Sequence, residues 1–396
     1  MMRAQGKPRA MALVMVALAL AGSAAARDEG DEPEFKLPKL PKTSTRFYDI
    51  YSRLDEDTLA EAASRLTAMA IDYDRRTRAF PKRVKSKLPI YLFDNYDDYL
   101  ATGATPGSGG LFIGTAVLGV YTPRWAAGLW PLLQHECWHQ FVRYSIGGFW
   151  PVWLNEGMAE YYAEAIWTGD DLITGAISPY RLKEVQGAIQ AKGFLPLRDL
   201  LKMDHEAWSA AISGANYDQA WSLVHFLAHA EGDRYRKALV SLIKGAAASQ
   251  PGLDTFRQVF GPRYATVQEH YEKWWLSRNE SNIRETYVRA AVSTMTSFLA
   301  RAHLQGLKFK SAEEFFEAAQ DGRLLKAAQA AKALWLPETL LARRLEPAQA
   351  MGKWTLVPGV KYPELRLQEE GGATFVGAFA PQGSKSIEVT IRSSKP

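Results

Sequence analysis

The sequence predicts an α+β protein, a small mixed β-sheet beside a helical part, followed by a helical and β-rich C-terminal extension. Three observations carry this. Two short runs with β-type alternation, TRFYDIYS and LPIYLF, fall within the first hundred residues. From Trp125 the apolar spacing becomes helical and stays so until about residue 350. Beyond it, WTLVP, ELRLQ, ATFVGAF and SIEVTIRS read as strands joined by Gly-containing turns.

Taken in order, residues 1–26 have the layout of an export signal. Arg3, Lys7 and Arg9 precede the apolar run MALVMVALALAG, and the small residues SAAA place cleavage after Ala26. The apolar core is short for a membrane span, which predicts a secreted or periplasmic protein without a stable anchor; retention as an anchor is the alternative. Residues 27–44 are charged and rich in Pro and Lys, and are expected to be a flexible lead-in. A main domain is expected over 45–280, a helical extension over 281–350 and a small β-rich segment over 351–396.

Within the main domain, TRFYDIYS is a strand and DEDTLAEAASRLTAMAIDYDRRTRAF a helix with acids first and bases last. LPIYLF is a second strand, and NYDDYLATG a short helix stopped by glycine. LFIGTAVLGVY is one long β-rich run, interrupted by Gly114 and Gly119 and suited to a sheet edge. AAGLWPLLQHECWHQFVRYS is a helix in which Pro131 belongs near the first turn. After IGGFWP, VWLNEGMAEYYAEAIWTG is the next helix. Further helices follow in LKEVQGAIQ, YDQAWSLVHFLAHA, RYRKALVSLIKG and YATVQEHYEKWWLS, with two or three more after residue 281.

The bulk properties exclude several classes. The formal charge is +5, but three of the basic residues sit in the leader with no acid beside them, so the remainder is nearly balanced. That gives no ground for a nucleic-acid partner. The basic cluster from Arg75 to Lys87 reads as a solvated helix end and loop. One cysteine, Cys137, rules out an internal disulfide; it lies about 200° around a helix from His135 and should be buried, facing away from it.

The chemistry concentrates in HECWH, residues 135–139. Histidines four apart project from one face of a helix, with Glu136 reaching toward the same space. A metzincin third ligand is excluded, because Val142 and Ser145 stand where Gly and His would be needed. Glu156, in WLNEGMAEYYAE, follows after a short reversal and can supply a carboxylate from an antiparallel helix. Two histidines and one carboxylate leave a fourth position open, the arrangement of catalytic rather than structural zinc.

H-E-x-x-H followed by W-L-N-E-G-x-A resembles the gluzincin metallopeptidases, the superfamily of thermolysin and the zinc aminopeptidases. Within it the chain is similar to the peptidase-MA-like secreted bacterial proteins. The matching segment runs over about 45–276, with a connection to Glu156 shorter than the zinc aminopeptidases commonly carry.

The resemblance implies one zinc ion held by His135, His139 and Glu156 between the sheet and the helical part, with Glu136 as general base and a peptide or protein as substrate. It also implies that Glu160, one turn after Glu156, orients a ligand histidine; a solvated glutamate ridge is the rival. Tyr217, in NYDQAWSLVHFLA, would be the oxyanion donor, with Asn216 as a helix cap; the rival is an aromatic staple at a helix start. His225 and His229 are also four apart but lack a glutamate and a third ligand, and read as core or surface histidines.

The aminopeptidases hold a free amine with a glutamate on a strand ahead of the zinc helix. Here no acid occurs between Asp98 and Glu136, which favours an endopeptidase. The other readings are an inactive metallopeptidase-like scaffold and a zinc hydrolase of a non-peptide amide.

Overall fold

The computed structural model describes residues 35–394, apart from 79, 81–83, 85, 123–125, 212–213, 233, 359–360 and 371. The expected signal lies outside them, as do Lys82, Arg83 and Lys85 of the basic cluster. The fold is α+β. Its first part runs β1 (Lys42–Ser44), β2 (Tyr48–Ser52), α1 (Glu56–Arg76), β3 (Leu88–Phe93), α2 (Tyr96–Leu100), β4 (Gly110–Phe112) and β5 (Val117–Val120). Then come α3 (Ala126–Phe141), α4 (Val152–Ala163), β6 (Ile166–Trp167), β7 (Leu172–Ile173), α5 (Pro179–Gln190), α6 (Leu197–Leu200) and α7 (His205–Ala210). The helices continue with α8 (Gly214–His229), α9 (Arg236–Ala247), α10 (Gly252–Phe260), α11 (Thr266–Leu276) and α12 (Glu280–Leu304). The chain ends in α13 (Ala312–Gln320), α14 (Arg323–Gln329), α15 (Glu338–Gln349), β8 (Lys353–Val357), β9 (Glu364–Gln368), β10 (Thr374–Gln382) and β11 (Ser386–Ser394).

Two compact units divide this chain. The first takes the residues up to Leu54, Arg76–Glu164 and Ile177–Asn279; the second takes Asp55–Arg75, Ala165–Ala176 and the residues from Glu280 on. Most of α1 and the β6–β7 hairpin, which fall inside the main domain expected over 45–280, group with the C-terminal residues.

The first unit holds a five-stranded sheet in the order β1-β2-β3-β5-β4. Its three inner strands are parallel, in register Ile50–Ile90–Val117, and the two outer ones antiparallel to their neighbours. Alternation explains β2: Tyr48, Ile50 and Ser52 are buried, and the residues between them are half-buried. The run LFIGTAVLGVY is two strands, not one. Gly114 takes φ +79°, which turns the chain so that β4 folds back on β5 as the edge. The expected lead-in is also not loose where it is described: β1 joins the sheet, and Phe35, Leu37 and Leu40 pack against Phe93, Tyr99, Leu111 and Ile113. Proline suits such an edge segment because it needs no ladder N–H.

In the second unit the long helix α12 packs on an antiparallel sheet ordered β11-β10-β9-β8. Arg301 on α12 meets Asp170 in a two-pronged ion pair, at 2.7 and 2.9 Å, and Ser293 donates to Thr168 at 2.9 Å. On α1, Glu61 accepts from Thr339 at 2.7 Å, and the Arg65 guanidinium lies 4.4 Å over the Trp167 ring. Four α-helices, α12 to α15, stand where two or three were expected. Among the described residues no helix is long and apolar enough to cross a membrane.

Candidate metal centre

The HECWH segment lies in α3, whose sequence is apolar on nearly all sides because the helix is enclosed. Pro131 falls in the second turn rather than the first. Gln140 Nε2 donates to Pro89 O at 3.0 Å, fixing the helix to β3, and Gln134 Nε2 donates to Tyr162 O at 2.6 Å, fixing it to α4. A π-helical turn over Val142–Ile146 ends α3, and Gly147 and Gly148, with φ of +71° and +85°, make the reversal. Pro151 then opens α4, every residue of which is buried.

This reversal brings Glu156 opposite the two histidines. His135 Nε2 is 3.1 Å from His139 Nε2 and 3.4 Å from Glu156 Oε2, and His139 Nε2 is 3.7 Å from that oxygen. A tetrahedral ion with bonds of about 2.0–2.1 Å spaces its ligand atoms roughly 3.3–3.4 Å apart, which is the size of this triangle. All three residues are buried, and among the described residues they are the one His/Cys/Asp/Glu group spaced to hold a metal ion. Glu156 Oε2 has no hydrogen bond of ordinary geometry.

The electrostatics ask for a cation. Burial opposes charge on His135, but the Glu156 and Glu160 carboxylates beside it outweigh that and raise its pKa to about 10. Burial also opposes charge on Glu156, yet the two histidines bring its pKa down to about 2. A proton on His135 fills this demand when nothing else does, and a metal ion would replace it.

Glu136 lies alongside the triangle. Its Oε2 accepts from the Phe112 N–H of edge strand β4 at 2.9 Å, while its Oε1 is buried without a hydrogen-bond partner. Burial raises its pKa against the pull of His135, His139 and that N–H. Tyr217 is in the first turn of α8, its ring centroid 6.4 Å from that of His135. Its buried hydroxyl has no hydrogen bond of ordinary geometry, and burial, with Glu156 adding and the neighbouring Trp208 indole N–H acting against them, holds its pKa well above the ordinary range. The hydroxyl therefore keeps its proton. Asn216 is not a cap: α8 starts at Gly214, and Asn216 Nδ2 donates back to Ala211 O at 2.9 Å.

Glu160 is no solvated ridge residue. Buried, it accepts from His135 Nδ1 at 3.0 Å through Oε1, while Oε2 pairs with Arg181 at 2.6 Å. His139 Nδ1, by contrast, has no partner. Glu164 is only half-buried and pairs with Arg181 at 3.1 Å. Cys137 is buried beside Tyr48, and burial raises the pKa of both. His225 is buried, and His229 Nε2 meets the Tyr161 hydroxyl at 2.8 Å.

Two residues escaped the sequence reading. Arg181 gave no local signal, since its partners lie in two other stretches of the chain, Glu160 and Glu164 at the end of α4 and Asp218 with Trp221 in α8. His205 opens α7, half-buried, its ring 6.0 Å from that of Phe149. Burial lowers its pKa, with the Glu156 charge acting against that and His139 with it.

Residues 132–253 match a family described as a protein of unknown function, DUF1570. The matched segment starts just ahead of His135 and ends in α10. It takes in every candidate residue from His135 to Tyr217, with Arg181 and His205, and leaves out Phe112 of β4. No curated protein matches the chain, and no solved structure does.

Proposed function

We propose that the chain is an exported zinc-dependent metallopeptidase of gluzincin type, cutting within peptides. The observation that carries this is the buried His135–His139–Glu156 triangle with an uncommitted Glu136 oxygen beside it. Nitrogen and carboxylate donors in a small tetrahedral set suit zinc. When bound, zinc supplies a water acidified to a pKa of about 7 and polarises the scissile carbonyl.

The chain's own residues do the rest. Glu136 Oε1 takes a proton from the attacking water and passes it to the leaving nitrogen, while the Phe112 N–H holds Oε2 and fixes the carboxylate plane. Glu160 accepts the Nδ1 proton of His135 and so keeps Nε2 free as a donor to the metal. The Tyr217 hydroxyl keeps its proton and donates it in a hydrogen bond to the developing oxyanion. Edge strand β4 offers backbone groups to an extended peptide. No acid occurs in residues 99–135 to anchor a free amine, which is why internal cleavage is preferred to trimming.

The test is metal analysis of the purified chain together with digestion of a peptide library in free and N-acetylated forms. One zinc per chain and internal cuts in both forms are expected. Cleavage of free peptides alone, one residue at a time, would replace the endopeptidase with an aminopeptidase. Zinc without any cleavage would leave a binding scaffold, and absence of zinc would end the proposal.

A further inference from the structure

We propose that Arg181 is a positioning residue for this centre: it holds the Glu160 carboxylate in the orientation that fixes ligand His135. The inference rests on the metal reading above.

The arginine is set before it touches anything. Ser178 caps α5 by accepting from the Arg181 N–H at 3.2 Å, and Pro179 opens the helix, so the backbone under the side chain is fixed. Each guanidinium nitrogen then faces a different acid. Nη2 lies 2.6 Å from Glu160 Oε2, Nη1 donates to Glu164 Oε1 at 3.1 Å and Nε to Asp218 Oδ1 at 2.9 Å. The plane rests 4.2 Å over the Trp221 ring, and the side chain is 4% exposed. Glu164, just past the end of α4, and Asp218 from α8 would hold the guanidinium in place even without Glu160. The cation is therefore an anchor that Glu160 leans on.

What Glu160 gains is a fixed plane. One oxygen is taken by Arg181 and the other by His135 Nδ1 at 3.0 Å, so the carboxylate cannot turn without breaking both contacts. Remove the guanidinium and Oε2 is left buried and uncompensated. The carboxylate then rotates or takes up a proton, and either change weakens its grip on the imidazole. A lysine keeps the charge but cannot face three acids from one plane.

The experiment compares the full chain with Arg181→Met, Arg181→Lys and Leu182→Ala, the last a buried neighbour on the same helix whose apolar side chain can make no ion pair or hydrogen bond to these groups. Three quantities are read: zinc affinity by chelator competition, thermal unfolding, and the ring-nitrogen NMR shifts of His135 in the metal-free protein. Arg181→Met should weaken zinc binding about 10- to 100-fold, the usual cost of losing an outer partner of a ligand histidine. It should also move the His135 shifts. Arg181→Lys should fall between it and the parent, and Leu182→Ala should lower the unfolding temperature with zinc affinity and His135 shifts unchanged.

Unaltered zinc affinity and His135 shifts in Arg181→Met would overturn the proposal and leave the arginine a purely structural role. Should that variant not fold, Arg181→Lys carries the same comparison, and parent-like values there would overturn it. If the parent itself takes no zinc, the metal reading fails separately, and the His135 shifts alone decide whether Arg181 sets the ring.

Discussion

Glu136 has one oxygen committed to the Phe112 N–H and the other buried with no hydrogen-bond partner. A group that only packed would not leave an acceptor bare there. Glu136→Gln should keep zinc bound and lower turnover by at least about 10³- to 10⁴-fold, the upper range for a general acid–base group; turnover equal to the parent's would remove Glu136 from the mechanism. A second prediction concerns the proton on His135, whose pKa in the metal-free chain is raised to about 10. The stability it contributes is complete below the ordinary histidine value of about 6.5 and lost as pH rises through about 10. Metal must displace that proton, so zinc affinity should rise about tenfold per pH unit between those limits. Calorimetry in buffers of different ionisation enthalpy should find about one proton released at pH 7, and none released would show His135 already neutral. At this scale the sequence was most informative where partners are near neighbours on a helix. His135, Glu136 and His139 sit on one turn, and Glu160 follows Glu156 by one turn. Arg181 could not be read that way, because residues 160, 164 and 218 meet only in three dimensions.

At the scale of elements, the site depends on how closely α4 lies against α8. A Cβ on Gly157 would come 2.5 Å from Ala220 O and 2.8 Å from Val224 Cγ2, so only glycine permits the contact. Gly157 directly follows Glu156. Gly157→Ala gains up to about 1 kcal/mol of helix propensity, but overpacking typically costs about 1–3 kcal/mol. A net loss of stability with weaker zinc binding is expected, and denaturant unfolding with a zinc titration would check both. The junction of α3 and α4 was legible because the Gly-Gly reversal and Pro151 mark it, but the helix expected over VWLNEGMAEYYAEAIWTG stops at Ala163 and its Ile166 and Trp167 form β6. The split of LFIGTAVLGVY was not legible, since β propensity runs through Gly114 while its positive φ belongs to the folded hairpin. The short α6, α7 and α10 were missed for a related reason: four to nine residues are too few for a period to show.

For the whole molecule, chain order and compact unit do not coincide. The main domain drawn over 45–280 omits the partners of α1 and β6–β7, which come from beyond residue 280. Asp170, on the β6–β7 turn, should show this in stability. Its loss leaves Arg301, 4% exposed, without an anion, and Asp170→Asn should cost about 3–5 kcal/mol in denaturant unfolding. A chain ended at Asn279 would strip the second unit from α1, whose Leu66, Met69 and Tyr73 are buried in the full protein. That fragment should bind a hydrophobic dye and unfold at lower denaturant than the parent; parent-like stability would restore the expected domain boundary. The same interleaving has a consequence in time. Glu61 and Thr339 are 278 positions apart, so a helix made among the first elements waits for its partner until translation is nearly complete. Until then the polypeptide carries a helix whose C-terminal partners are not yet made, which is the interval in which a chaperone would find it.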